Sequence, residues 1–300
     1  MNRNFKVVFS KARGALMVVN EATSSIQAKG TKTVIAAAIA AVAGTAMAAS
    51  AYVEAPTEPG DNVALFTATF GTNTTDKLLA QNSYVTDKSG AAGGDFLAVT
   101  AGENKLTAGH TLWVTGVGAN AQASGIWVRD NGTKATNEST IYVTTGKDGK
   151  YYANRAMGAS TGEIVNNGTI VAKNAYGMTV GSSSNNTVTI TNGVNGKIIV
   201  EDQGVGIELG GSSNDGSNQT NATAQNYGEI YAGKPAQEGN YIAAVQIKGG
   251  DKASSDKKML LADQVFKNEA SGKIYAADAT AAISNNLTTG AKIENLGLIE

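Results

Sequence analysis

One histidine, no cysteine and scattered carboxylates are what this 300-residue chain offers for chemistry. His110 would have to be the base of any Ser-His-Asp site, because no other histidine exists. It stands in Ala108-Gly109-His110-Thr111-Leu112, at the entrance to a predicted strand, where a structural role is expected. Disulfides, thiolate or histidine-cluster metal sites and a cysteine nucleophile are excluded by count. Glu201 and Asp202 are candidates for a carboxylate pair of lyase or glycosidase type, but they follow a strand, whose alternation sends neighbours to opposite faces. Gly210-Gly211 with Asp215-Gly216 lacks the spaced aspartates of a calcium-binding repeat loop. Tyr151-Tyr152, and Trp113 with Trp127, have side chains suited to a sugar-binding face, with packing as the competing use. No cofactor and no catalysis are expected.

The elements that must carry these residues are read from composition. Hydrophobic residues make up 42% of the chain, too many for a charge-dominated disordered polymer. Only 16% is charged, glycine is frequent at 36 and proline rare at 3, and β-branched runs are short and many. That pattern favours a turn-rich all-β protein. The formal net charge of −1 hides two unlike parts. Residues 1–48 hold six basic residues and one acid, leaving 18 basic against 24 acidic residues in the remainder. A mildly acidic body has no electrostatic footprint for nucleic acid.

Thr33 to Ala48 contains no charge over 16 positions, follows Lys29 and Lys32, and ends Ala46-Met47-Ala48. Small residues at Ala46 and Ala48 fit the narrow subsites of a signal peptidase, so cleavage is expected between Ala48 and Ala49. The apolar run is too short for a permanent membrane span, which needs roughly 20 residues. Ahead of it stands a second basic and apolar pair, MNRNFKVVFSKARG followed by ALMVVNEATSS. With Phe5-Lys6-Val7-Val8-Phe9, Lys11-Ala12-Arg13-Gly14 and Val18-Val19 before Glu21, this segment resembles the extended signal peptide region of type V secreted proteins. The resemblance implies a Gram-negative source and export by the Sec translocon and signal peptidase. It also implies passage through an outer-membrane translocator to the cell surface or beyond.

The remainder repeats itself. An apolar-x-Asn phrase followed by Gly-x-Ile occurs with Asn166, Gly168 and Ile170, then with Asn192, Gly196 and Ile198. It returns with Asn226, Gly228 and Ile230, with Asn268, Gly272 and Ile274, and with Asn295, Gly297 and Ile299. Each phrase reads as a strand end, a turn at Asn and Gly that exploits their tolerance of left-handed dihedrals, and an inward isoleucine on the next strand. Second strands follow, with Met178 and Val180, or Ile207 and Leu209, on one buried face. The expected fold is an all-β, right-handed parallel β-helix, a solenoid stacking about 4.8 Å per coil, after a helical signal peptide. Asparagines at equivalent turns would stack into a ladder of amide hydrogen bonds. A β-sandwich offers no reason for the recurring turn, and a propeller needs a more even and longer period.

Three parts are expected: 1–48 as extended signal peptide, 49–105 as an N-terminal cap or first irregular coils, and 106–300 as β-helix repeats. Residues 164–300 are similar to the passenger region of autotransporters. Those end in a membrane barrel, whereas this sequence stops in mid-repeat at Leu298-Ile299-Glu300 and shows no series of barrel strands, so the expectation is a chain that is truncated or lacks its translocator barrel, or the start of a longer protein. The leading functional expectation is a non-catalytic surface passenger serving adhesion or self-association, its host or bacterial ligand unspecified. A β-helix polysaccharide lyase or hydrolase and a purely structural stalk are the alternatives.

Overall fold

The computed structural model describes residues 5–10, 15–20, 59–69, 78–87, 95–116, 124–145, 154–181, 186–210, 220–248, 264–286 and 291–300. The chain divides into two compact units, Met1–Glu54 and Ala55–Glu300. In the first, Phe5–Ser10 and Ala15–Asn20 form an antiparallel pair with Phe5 opposite Asn20. Their valine- and phenylalanine-rich sequences suit strands, so the described part of the expected helical segment is β instead. Thr33–Ala48, with the cleavage residues Ala46, Ala48 and Ala49, lies outside the described residues.

The second unit is a parallel β-helix. Its strands form a 14-stranded and a 7-stranded sheet, and every pairing between them is parallel. Two long strands, Thr169–Val180 and Lys197–Leu209, run through both halves of the larger sheet and bend between them. The bend falls where Asn174 (φ 52°) and Asp202 (φ 63°) take left-handed dihedrals, which asparagine and aspartate tolerate. Each coil therefore has three faces. Face one includes Thr140–Thr145, residues 169–173 and 197–201, and Glu229–Pro235. Face two includes Arg155–Ala159, the second halves of the long strands, and Ile242–Lys248. Face three includes Gly162–Asn166, Thr187–Asn192, Asn221–Asn226 and Gln264–Asn268.

Parallel pairing starts well before residue 106. Phe66–Thr69 pairs with Ser83–Asp87, Asp95–Val99 with Ser124–Val128, and Glu103–Leu106 with Lys134–Asn137. The described residues of 49–105 are thus coils of the same helix.

The core is a set of columns. Leu112, Ile141, Ile170, Ile198, Ile230, Ile274 and Ile299 succeed one another in register on face one. Ile170, Ile198, Ile230 and Ile274 are fully buried, while Ile299, in the last coil described, is 36% exposed. Face two contributes Ile126, Met157, Met178, Ile207 and Val245, and face three Ile164, Ile190, Ala224 and Phe266. Each fully buried large side chain contributes about 1.5–3 kcal/mol by leaving water. Outside, face three carries coil-to-coil ion pairs, Lys134 with Glu163 at 3.3 Å and Lys267 with Glu294 at 3.3 Å.

Candidate functional site: the asparagine ladder and the outer faces

The corner from face three to face one is held by asparagines. Asn137, Asn166, Asn192, Asn226 and Asn268 are fully buried, and each is the last residue of its strand. The Nδ2 of each donates to the Oδ1 of the next: Asn137 to Asn166 (2.8 Å), Asn166 to Asn192 (2.9 Å) and Asn192 to Asn226 (2.8 Å). Asn226 to Asn268 and Asn268 to Asn295, both 2.8 Å, complete the row. The partners are 29, 26, 34, 42 and 27 residues apart in sequence, yet the register at the corner is unchanged. Added length is therefore confined to other parts of the coil.

The glycines of the phrase have a different role from the one their dihedral freedom suggests. Gly168, Gly196, Gly228, Gly272 and Gly297 are not in the left-handed region. A Cβ at Gly228 would collide with the carbonyl oxygens of Gly196 and Gly193, and one at Gly272 with the Asn226 carbonyl and Asn268 Oδ1. Space between stacked turns is what they provide. Asn137 was missed in the sequence because its phrase has Ser139 where the others have glycine. The Ser139 N–H donates to Asn137 Oδ1 at 3.1 Å and occupies the free end of the row.

The ladder fixes the register of what faces outward. On face one, Tyr84, Trp113, Tyr142, Val171, Ile199, Tyr231 and Tyr275 stand one above another. Trp113 and Tyr142 stack with centroids 6.0 Å apart, and Tyr231 and Tyr275 with centroids 4.7 Å apart. Around the last pair the charges are concentrated. Tyr231 Oη donates to Glu229 Oε2 at 2.8 Å, Lys273 Nζ lies 3.2 Å from Glu229 Oε1, and Lys197 Nζ sits 4.6 Å from the Tyr231 ring centre. Burial works to raise the Glu229 carboxyl, but the bonds from Tyr231 and Lys273 and the lysine charges outweigh it and hold it below its usual value. Burial and the Glu229 carboxylate push the Tyr231 phenol well above the tyrosine range. The bond to Glu229 raises the Lys273 ammonium. A shallow groove of ≈ 560 Å³ runs beside this patch, lined by Lys197, Glu229, Lys273, Val194 and Leu298 among others.

The residues weighed for catalysis are not brought together. His110 lies in the turn entering face one, its carbonyl accepting from Thr140 N at 3.3 Å. Asp202 is at the bend, 3.7 Å from Lys173 Nζ. Tyr151, Tyr152 and Asp215 lie outside the described residues. Gly158-Ala159-Ser160-Thr161-Gly162 has the spacing of a serine nucleophile elbow, a pattern the sequence reading passed over. Here it joins two strands, not a strand to a helix, and Ser160 Oγ accepts from Trp127 Nε1 at 3.1 Å. Ser160 and His110 occupy different corners of the coil. Among the described residues no group of acidic or histidine side chains could hold a metal ion.

No curated protein and no solved structure matches the chain. Residues 1–50 match the family model described as Extended Signal Peptide of Type V secretion system. Such a segment implies export across the envelope of a Gram-negative bacterium, with Sec and an outer-membrane translocator as the general machinery. Joined to a parallel β-helix, it supports the reading of the chain as a type V secretion autotransporter passenger.

Proposed function

We propose that the chain is a cell-surface passenger whose β-helix acts in adhesion or self-association and catalyses nothing. The observation that carries this reading is the face-one row from Tyr84 to Tyr275, in which the half-buried Tyr84, Tyr142, Tyr231 and Tyr275 reach the surface and Trp113, Val171 and Ile199 are buried between them. An extended, repetitive contact surface gains strength from many small contacts in series, which suits attachment better than a compact pocket does.

The test is surface display of the chain on a non-adherent bacterium, scored for settling and for attachment to cells and abiotic surfaces. Replacing Tyr142, Tyr231 and Tyr275 together by Ser should lower attachment severalfold with surface level unchanged. Undiminished attachment in that variant would remove face one from the function.

A further inference from the structure

Asparagine stands directly before glycine four times, as Asn131-Gly132, Asn167-Gly168, Asn192-Gly193 and Asn195-Gly196. Such a pair has a reaction open to it that needs no enzyme. The glycine nitrogen is tethered within reach of the asparagine amide carbon, and no side chain on the glycine obstructs the attack. What holds each pair decides whether the reaction proceeds, and three of the four are held. Asn192 is fully buried in the ladder, and the Gly193 N–H donates to the Asn166 carbonyl at 2.8 Å. The Gly196 N–H donates to the Gly193 carbonyl at 2.7 Å, which turns the attacking nitrogen away from Asn195. Gly168 is wedged against Ser139, where a Cβ would come within 2.0 Å of the carbonyl oxygen, and Asn167 Oδ1 is packed over Gly193.

Asn131-Gly132 is different. Both residues are exposed, at the corner where Ser124–Val128 of face two gives way to Lys134–Asn137 of face three. The Thr133 N–H closes the turn onto the Asp130 carbonyl at 3.2 Å, and Gly132 takes a φ of 72°. A Cβ on Gly132 would meet nothing, and among the described residues no group accepts its N–H. The amide is engaged from its other side. Thr161, buried at the same corner one coil later, donates its hydroxyl to Asn131 Oδ1. That bond strengthens as negative charge collects on the oxygen during attack, which is how an oxyanion donor works. We propose that Asn131 modifies itself in the exported chain. The Gly132 nitrogen loses its proton to water and bonds to Asn131 Cγ. The Cγ–Nδ2 bond then breaks, and the departing nitrogen takes a proton from solvent and leaves as ammonia. The cyclic imide takes up water at either carbonyl, giving aspartate or, with the backbone rerouted through the side chain, isoaspartate. Both products add a negative charge to the shallow groove of ≈ 470 Å³ that Asn131 lines with Glu103, Lys134 and Glu163. The corner between faces two and three therefore acquires charge with age, apart from the face-one row.

Incubation of the purified, exported chain in mildly alkaline buffer, followed over days by peptide mapping and mass spectrometry, is the test. In the folded chain Asn131 should convert about tenfold faster than Asn167, Asn192 or Asn195, which must first open locally. In urea all four should convert at similar rates, since each then has an unhindered glycine beside it. Thr161→Val should slow Asn131 severalfold in the folded chain and leave its rate in urea unchanged, and Thr161→Ser should restore it. Equal rates at the four sites of the folded chain, or a faster reaction at any of the other three, overturn the proposal. So does a folded Thr161→Val chain that converts as fast as the native one. Should Thr161→Val fail to fold, the ranking of the four sites in the native chain still decides.

Discussion

A single ladder asparagine shows how much one side chain can govern. Asn192 donates to Asn226 and accepts from Asn166 with all three fully buried, so Asn192→Ala leaves both neighbours with unmatched groups. At about 1–3 kcal/mol for each orphaned group, the loss should be about 2–5 kcal/mol in urea unfolding. Asn295→Ala, at the exposed end, should cost under about 0.5 kcal/mol. Comparable losses at both positions would show that burial of the amides contributes little. Glycine allows a parallel comparison. Gly228→Ala forces a methyl group against two backbone carbonyls and should cost about 1–3 kcal/mol. Gly239→Ala meets open space and suffers only from its φ of 87°, about 1 kcal/mol. The asparagines and isoleucines were legible because a four-point phrase recurs. What the glycines do was not, because the letter is the same whether the need is a dihedral or room.

At the scale of elements, face one makes a statement about pH. The Glu229 carboxyl is depressed in the folded chain, so its contribution is complete above the ordinary glutamate value and disappears as pH falls through the lowered one. The Lys273 ammonium is raised, so its share is complete below the ordinary lysine value and is lost as pH climbs through the raised one. Glu229→Gln should flatten the acid and alkaline limbs of the stability curve together. The effect should be about 0.5 kcal/mol at neutral pH, as for other partly exposed pairs. A curve with unaltered limbs would mean that the pair is equally formed in the unfolded chain. Face two was harder to read than face one for a geometric reason. A Cβ on Gly177 or Gly206 would reach the core isoleucines Ile198 and Ile230, although Met178 and Ile207 also point inward. Two consecutive inward residues break the period of two from which strand faces are inferred. That is why the outward row of Thr179, Glu208 and Gln246, in register on successive coils, could not be picked out beforehand.

For the whole molecule, stability should accumulate coil by coil, with no single centre. Ile198→Ala, in the middle of the fully buried column, should cost about 2–5 kcal/mol, measurable by chemical denaturation. If the loss is below 1 kcal/mol, the column is not packed as described. Export can be checked by N-terminal sequencing of secreted material, which should begin at Ala49; a start beyond about Ala51 or retention of Met1 would contradict the cleavage assignment. The extended signal and the stacking were both legible because each is written in local sequence. The sites of inserted length were only partly so, since a coil tolerates outward loops wherever the ladder and core columns stay intact.

The ladder also has an electrical polarity. From Asn137 to Asn268 each amide gives its hydrogen to the coil that comes later, and from Asn166 to Asn295 each offers its oxygen to the coil that came before. Six side-chain dipoles therefore point the same way along the axis of the solenoid, each polarising the next. The row is negative at Asn137, where the Ser139 N–H quenches it, and positive towards Asn295. A rod made this way has two chemically unlike poles, and its later pole favours an acceptor or an anion, much as the amino end of an α-helix does.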